Sequence, residues 1–191
     1  MSDFCPVTLP EVPVPDNQKD CKDCGLYAHG SRMVWGEGNP DSNIMVVLDN
    51  PGEREDREGR PYICGTRKTM QETAHQAGVD INDLYISYIL KRRPRKKYDK
   101  PKTRAICMQH LERQIKEKQP KLILCLGNVA VQSFFKDDHV DVKSLRGSIH
   151  RVDGIPVAVA YHPLAIRRRP NLAKLFLEDW KYVAAYMEKG H

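Results

Sequence analysis

The chain has 191 residues, with 31 Lys and Arg against 25 Asp and Glu, a net charge of +6 and 40% hydrophobic residues. That length suits one well-filled core. No apolar run approaches the ~20 residues of a membrane span, and the N-terminus lacks a basic-then-apolar leader, so a soluble, cytoplasmic protein is expected.

Residues 1–20, rich in Pro and acids, read as an extended lead-in to a single domain over residues 21–191. Cys21-Lys22-Asp23-Cys24 follows, the only pair among the six cysteines with ligand-like spacing. Without a secretory signal, such a pair points to metal or redox chemistry more than to a disulfide. Trp35 to Pro40 is dense in turn formers and reads as a loop. Asn43 to Leu48 is an apolar run short enough for one buried strand. It ends at Asp49-Asn50-Pro51-Gly52-Glu53-Arg54-Glu55-Asp56, followed by Gly59-Arg60-Pro61-Tyr62. Pro51 fixes its own φ and Gly52 tolerates φ > 0, so this loop can turn sharply and approach a ligand closely.

Thr66 to Gly78 is predicted helical, with Met70, Ala74 and Ala77 on one face. Leu84 to Leu90 is a second strand, leading into nine Lys or Arg residues against one acid between Lys91 and Arg104. That segment carries +8, which leaves −2 for the rest of the chain. With Arg167-Arg168-Arg169 it forms two cationic segments suited to a phosphate backbone. Thr103 to Lys118 is predicted helical, Lys121 to Leu126 a third strand and Gly127 to Phe135 a short helix. Ile155 to Tyr161 is a fourth strand, ending at His162-Pro163, and Pro170 to Met187 closes the chain as an amphipathic helix. Strands alternating with helices predict an α/β fold with a mostly parallel four-stranded sheet. Its carboxyl edge would gather Asp49, Asn50, the basic run and His162 in one cleft.

Several motifs together resemble the uracil-DNA glycosylase superfamily, most of all its iron–sulfur family 4. They are Gly36-Glu37-Gly38-Asn39-Pro40-Asp41, the Pro-Gly-x-x-Glu-Asp of the central loop, Gly-Arg-Pro-Tyr, Leu126-Gly127, Leu145-Arg146-Gly147 and His162-Pro163. The resemblance implies a three-layer α/β/α fold and a monomeric enzyme that flips a base out of DNA and hydrolyses its glycosidic bond, with metal-independent chemistry. On that resemblance His162 supports the charge of the departing base, Tyr62 stacks on it, and Pro51 and Gly52 shape its pocket. An Asn before Pro-Gly resembles the mismatch-specific and single-strand-selective branches, which assigns the attacking water to Asn50, with Asp49 as helper. Lys91, Arg92, Arg93, Arg95, Lys96, Lys97, Arg167, Arg168 and Arg169 would hold phosphates, and Leu164 or Ile166 would wedge into the vacated space.

Two departures stand out. Where the family has an amide reading the edge of uracil, this chain has Tyr88, which leaves uracil and a modified base both open as substrates. Cys21, Cys24 and Cys107 match three ligands of a structural [4Fe–4S] cluster, while the position of the remaining cysteine holds Arg92. Cys5 or His110 would then complete the set; Cys64 and Cys125 suit it less. The alternative to a glycosylase is a non-catalytic DNA-binding relative acting in replication or in phage–host defence.

Overall fold

The structure, a computed structural model, describes residues 4–190. Its elements in chain order are β1 (Glu11–Val12), β2 (Gly36–Gly38), β3 (Ile44–Leu48), α1 (Glu53–Glu58), α2 (Gly65–Gln76), β4 (Leu84–Tyr88), α3 (Lys100–Lys118), β5 (Leu122–Leu126), α4 (Asn128–Phe135), α5 (Val142–Leu145), β6 (His150–Val152), β7 (Ile155–Ala160), α6 (Pro163–Arg168) and α7 (Ala173–Glu188). Among the described residues no helix is long and apolar enough to cross a membrane.

The strands form one sheet in the order β1-β2-β4-β3-β5-β7-β6. The four expected strands are its parallel centre, Val46 pairing with Ile86 on one side and Leu124 on the other. The expected count of four is corrected to seven, because β1, β2 and β6 extend the sheet antiparallel at both edges. These additions are two or three residues long, too short to show a period. β2 runs through the segment read as a loop because Gly36 and Gly38 pass close over β4. A Cβ on Gly36 would overlap the Tyr85 hydroxyl, and one on Gly38 the Leu84 carbonyl. β1 lies within the expected lead-in and pairs Glu11 with Glu37.

Side chains alternate across the sheet. Val46, Leu48, Ile86, Leu124 and Ala158 face a core shared with α2 and α7, while Met45, Val47, Tyr85, Ile123 and Val157 face α3 and α4. Both faces are covered, which gives the three layers. β3 sits at the point where the order reverses, with β4 on one side and β5 on the other. Loops leaving the carboxyl ends there diverge and open a crevice. The backbone N–H groups of Ile89 and Leu90 donate to Leu48 and Asp49 at 2.9 Å, so the β3 and β4 exits are stitched together at the crevice floor.

Helix boundaries differ most from the sequence reading at the starts of α3 and α7. α3 begins at Lys100 because Asp99 caps it, accepting from the Lys102 N–H at 3.1 Å. Pro170 starts a separate single turn before α7.

Arg146, from the Leu-Arg-Gly motif, clamps the segment after α5 to α7. Its guanidinium donates to Asp179 at 3.1 Å and to the Leu175 carbonyl at 2.9 Å. Burial raises the Asp179 carboxyl from 3.8 to about 6, against the opposing pull of Arg146. The folded chain therefore binds a proton between those values that the unfolded chain does not. This contribution is complete below the lower value and is lost as pH rises through about 6. Urea unfolding across this window is expected to lose stability with rising pH, on the order of 2–3 kcal/mol, relative to an Asp179→Asn variant. Parallel pH profiles of the two proteins would contradict this.

Candidate active site

A cleft of about 440 Å³ opens at the carboxyl edge of the parallel strands, lined by Asp49, Asn50, Gly52, Glu55, Arg67 and His162 among others. His162 follows β7 and caps α6, its Nδ1 accepting from the Leu164 N–H at 3.1 Å. That contact selects the tautomer with its proton on Nε2. Nε2 lies 3.4 Å from Asp49 Oδ1. The Leu126-Gly127 motif makes room for this imidazole. Gly127 has φ +91°, and a Cβ there would stand 2.8 Å from that of His162.

Asp49 also accepts from the Asn50 N–H at 2.8 Å. Burial raises its carboxyl, but the His162 imidazole beside it, with nearby backbone N–H groups, outweighs this and holds it below the usual 3.8. Asn50 donates its side-chain NH2 to the Pro51 carbonyl at 2.8 Å. Its Oδ1 is left as an acceptor for a further group. The structure thus brings Asp49, Asn50 and His162 into one cleft, with Gly52 and Leu164 on its walls.

Other expected residues are placed differently. Pro51 is buried and does not line the cleft. Tyr62 lies beside the cleft, its ring 5.2 Å from the Arg54 guanidinium and its hydroxyl accepting from Arg54 at 3.2 Å. Arg54, not Tyr62, stands on the cleft wall. Tyr88 does line the cleft but is 1% exposed, and its hydroxyl is taken by Arg67 and Glu37. It is therefore corrected from a base-reading group to a support for its neighbours.

Arg67 and Glu55 also line the cleft, and the sequence reading did not single them out. Arg67 contacts Glu37 through Nη2 and approaches Glu55 Oε1 through Nε at 3.7 Å. Burial raises the Glu37 carboxyl despite this arginine. The available signal was a cation at helical spacing with Met70, Gln71 and Ala74 on the buried stripe of α2.

The basic run divides. Lys91 is fully buried, its Nζ 2.5 Å from Ser87 Oγ, 2.7 Å from Gln114 Oε1 and 3.3 Å from the Trp35 carbonyl. Burial brings this ammonium down to about 7. It is corrected from a phosphate contact to a core group. Arg92 donates to the Ser31 carbonyl at 2.6 Å, and Arg95 pairs with Asp56 at 2.6 Å. Arg93 reaches the cleft wall, 3.5 Å from Glu53. Lys96, Lys97 and Arg169 are exposed, and Arg167 and Arg168 are exposed at the cleft itself. The Arg167 guanidinium lies against Gly65, where a Cβ would overlap it.

The cysteines gather only in part. Cys21 Sγ is 3.3 Å from His110 Nε2, and the neighbouring Cys107 thiol holds Cys24 below its ordinary value. Cys107 Sγ also accepts from the Lys91 N–H at 3.3 Å. Among the described residues no three donors meet in metal-holding geometry. Arg92 cannot complete the set, since a guanidinium offers no lone pair. Cys5 is corrected as a fourth ligand: its neighbour Phe4 stacks on His75 and packs in the α2-side core, whereas Cys107 belongs to the α3 side. Cys64 sits on the cleft wall, 3.8 Å from Glu55 Oε1, and Cys125 is buried in β5. These residues do not fit a four-thiolate cluster.

Comparison with known proteins accords with this geometry. Residues 35–184 match the family described as the uracil DNA glycosylase superfamily. A type-4 uracil-DNA glycosylase of Thermotoga maritima is 32% identical over 92% of this chain and 94% of its own. That of Archaeoglobus fulgidus is 30% identical over 85% of this chain and 86% of its own, and that of Sulfurisphaera tokodaii 31% over 85% and 78%. With a match of this extent, and with the histidine, acid and amide of its ordered motifs drawn into one cleft, the chain belongs to the uracil-DNA glycosylase superfamily.

Proposed function

We propose that this protein is a monofunctional DNA glycosylase that removes uracil from DNA by hydrolysing the bond between the base and its deoxyribose. The observation that carries the reading is the placement of His162, Asp49 and Asn50 around one cleft at the sheet's reversal point. The type-4 relatives are named for removing uracil, over nearly the whole of this chain.

The bond is unreachable within a base stack, so the nucleotide must be extruded into the cleft. As the C1′–N bond stretches, its electron pair leaves with the base and the sugar gains oxocarbenium character. His162 Nε2–H donates to the base carbonyl on which negative charge collects. Its proton is already in place because Nδ1 is held by the start of α6. Asn50 Oδ1 holds a water for attack on C1′, and the nearby Asp49 carboxylate favours the cationic sugar and takes up the proton that the water releases. The products are an abasic site and the free base. Lys96, Lys97, Arg93, Arg167, Arg168 and Arg169 supply positive charge to the phosphates, and Leu164, which lines the cleft, fills the vacated stack. The protein acts as a monomer on this reading.

Single-turnover excision should fall by about 10²–10³ in His162→Ala and Asn50→Ala, with binding to uracil-containing DNA retained. Loss of binding in step with excision would remove both residues from the chemistry. Gly127→Ala is expected to cost about 1–3 kcal/mol of stability and to slow excision through displacement of His162; wild-type rate and stability would refute that positioning. Converting Lys96, Lys97, Arg167 and Arg168 to Gln should lower the slope of log affinity against log salt by up to about 3–4 on duplex DNA. An unchanged slope would place the phosphates elsewhere.

A further inference from the structure

With the Tyr88 hydroxyl engaged by Arg67 and Glu37, the edge of an extruded base needs another reader. Two unpaired polar atoms belong to side chains that line the cleft. Glu55 is 4% exposed and Arg67 6%, and both line the cleft. Glu55 Oε2 and Arg67 Nη1 are buried without a hydrogen-bond partner. The other atoms of both groups are used: Glu55 Oε1 meets Cys64 Sγ and Arg67 Nε, and Arg67 Nη2 meets Tyr88 and Glu37. What remains is one acceptor and one donor on adjacent side chains. A buried polar atom left unpaired is unfavourable, so a ligand that satisfies both is favoured over one that satisfies neither. Gly52 fixes where the acceptor stands, since a Cβ there would overlap Glu55 Oε2. The carboxylate is thereby held against the same loop that carries Asn50.

We propose that Glu55 and Arg67 read the edge of the flipped base, Glu55 Oε2 accepting from a ring N–H and Arg67 Nη1 donating to the adjoining carbonyl. The ligand class is a base with a lactam edge, as in uracil. Cytosine has nearly the same size but presents the reverse pattern, a ring acceptor towards the carboxylate and an amino donor towards the guanidinium. Both contacts then become repulsive, and a site built on hydrogen bonds rejects such a mismatch strongly. The assignment rests on the glycosylase reading for the presence of a base in this cleft.

The test is equilibrium binding, kept separate from excision, of two oligonucleotides that differ at one position. One carries uracil and the other cytosine, each on a 2′-fluoroarabino sugar that resists hydrolysis. Wild-type protein is expected to prefer uracil by about tenfold or more. Glu55→Gln, which keeps the shape and gains an NH2 able to face the cytosine ring nitrogen, should shrink that preference at least about fivefold. Arg67→Lys provides a second variant with the same expected loss of preference, and Asn50→Ala, outside the base edge, should keep it. A preference unchanged in both Glu55→Gln and Arg67→Lys would overturn the assignment, and so would its absence in a wild-type protein that excises uracil. Should the protein excise nothing yet show a preference that Glu55→Gln removes, the hydrolytic reading would fail while the base reader stood.

Discussion

The parallel pairing of β3 with β4 on one side and β5 on the other is the constraint on which the remaining structure depends. It sets the carboxyl ends of four strands along one edge, and it makes the exits from β3 and its neighbours diverge there. Everything chemical in the cleft is delivered by that geometry. Asp49 and Asn50 leave β3, Gly127 leaves β5, and His162 leaves β7 across the space that Gly127 keeps open. No single loop builds the site. A histidine that caps a helix and an acid that ends a strand meet because the sheet brings their backbones together.

A second layer of the design is polar and buried. Arg67 lies between Glu37 and Glu55 with Tyr88 alongside, and on the opposite face of the sheet Lys91 is enclosed by Ser87, Gln114 and Trp35. Removing charges from water costs several kcal/mol each unless partners compensate, so such groups are weak evidence for stability. Around Lys91 the three contacts reach oxygen atoms of the core, in keeping with a structural role. Around Arg67 the compensation is incomplete, and the side chains that carry the unpaired atoms line the cleft. That contrast separates a core group from one with capacity left for a ligand.

The parts of this arrangement legible in the sequence are those with a period or a fixed local geometry. Four buried strands were visible as short apolar runs, and the residues at their carboxyl ends, Asp49, Asn50 and His162, followed from alternation of strands with helices. What was not legible required the direction of individual side chains. Lys91 belongs to a basic run by composition, yet it continues the period of Tyr85, Ser87 and Ile89, which points it towards α3 and into the core. Tyr88 lies on the other parity and meets α2, a packing partner that the strand's own sequence does not specify. Cys5 is a thiol near Cys21 in the chain, but its neighbour Phe4 packs on the α2 side of the sheet, whereas Cys24 and Cys107 pack on the α3 side. β2 escaped notice because the close passage of its glycines over β4 is a tertiary fact.

The most direct measurement is single-turnover incubation of the wild-type protein with single- and double-stranded oligonucleotides carrying one uracil, followed by alkaline cleavage of abasic sites and identification of the released base. Strand scission only after alkali, with free uracil in equal amount, is the result this account predicts. Tight, salt-dependent binding to the same oligonucleotides with no base released would contradict it and leave a DNA-binding protein on a glycosylase fold.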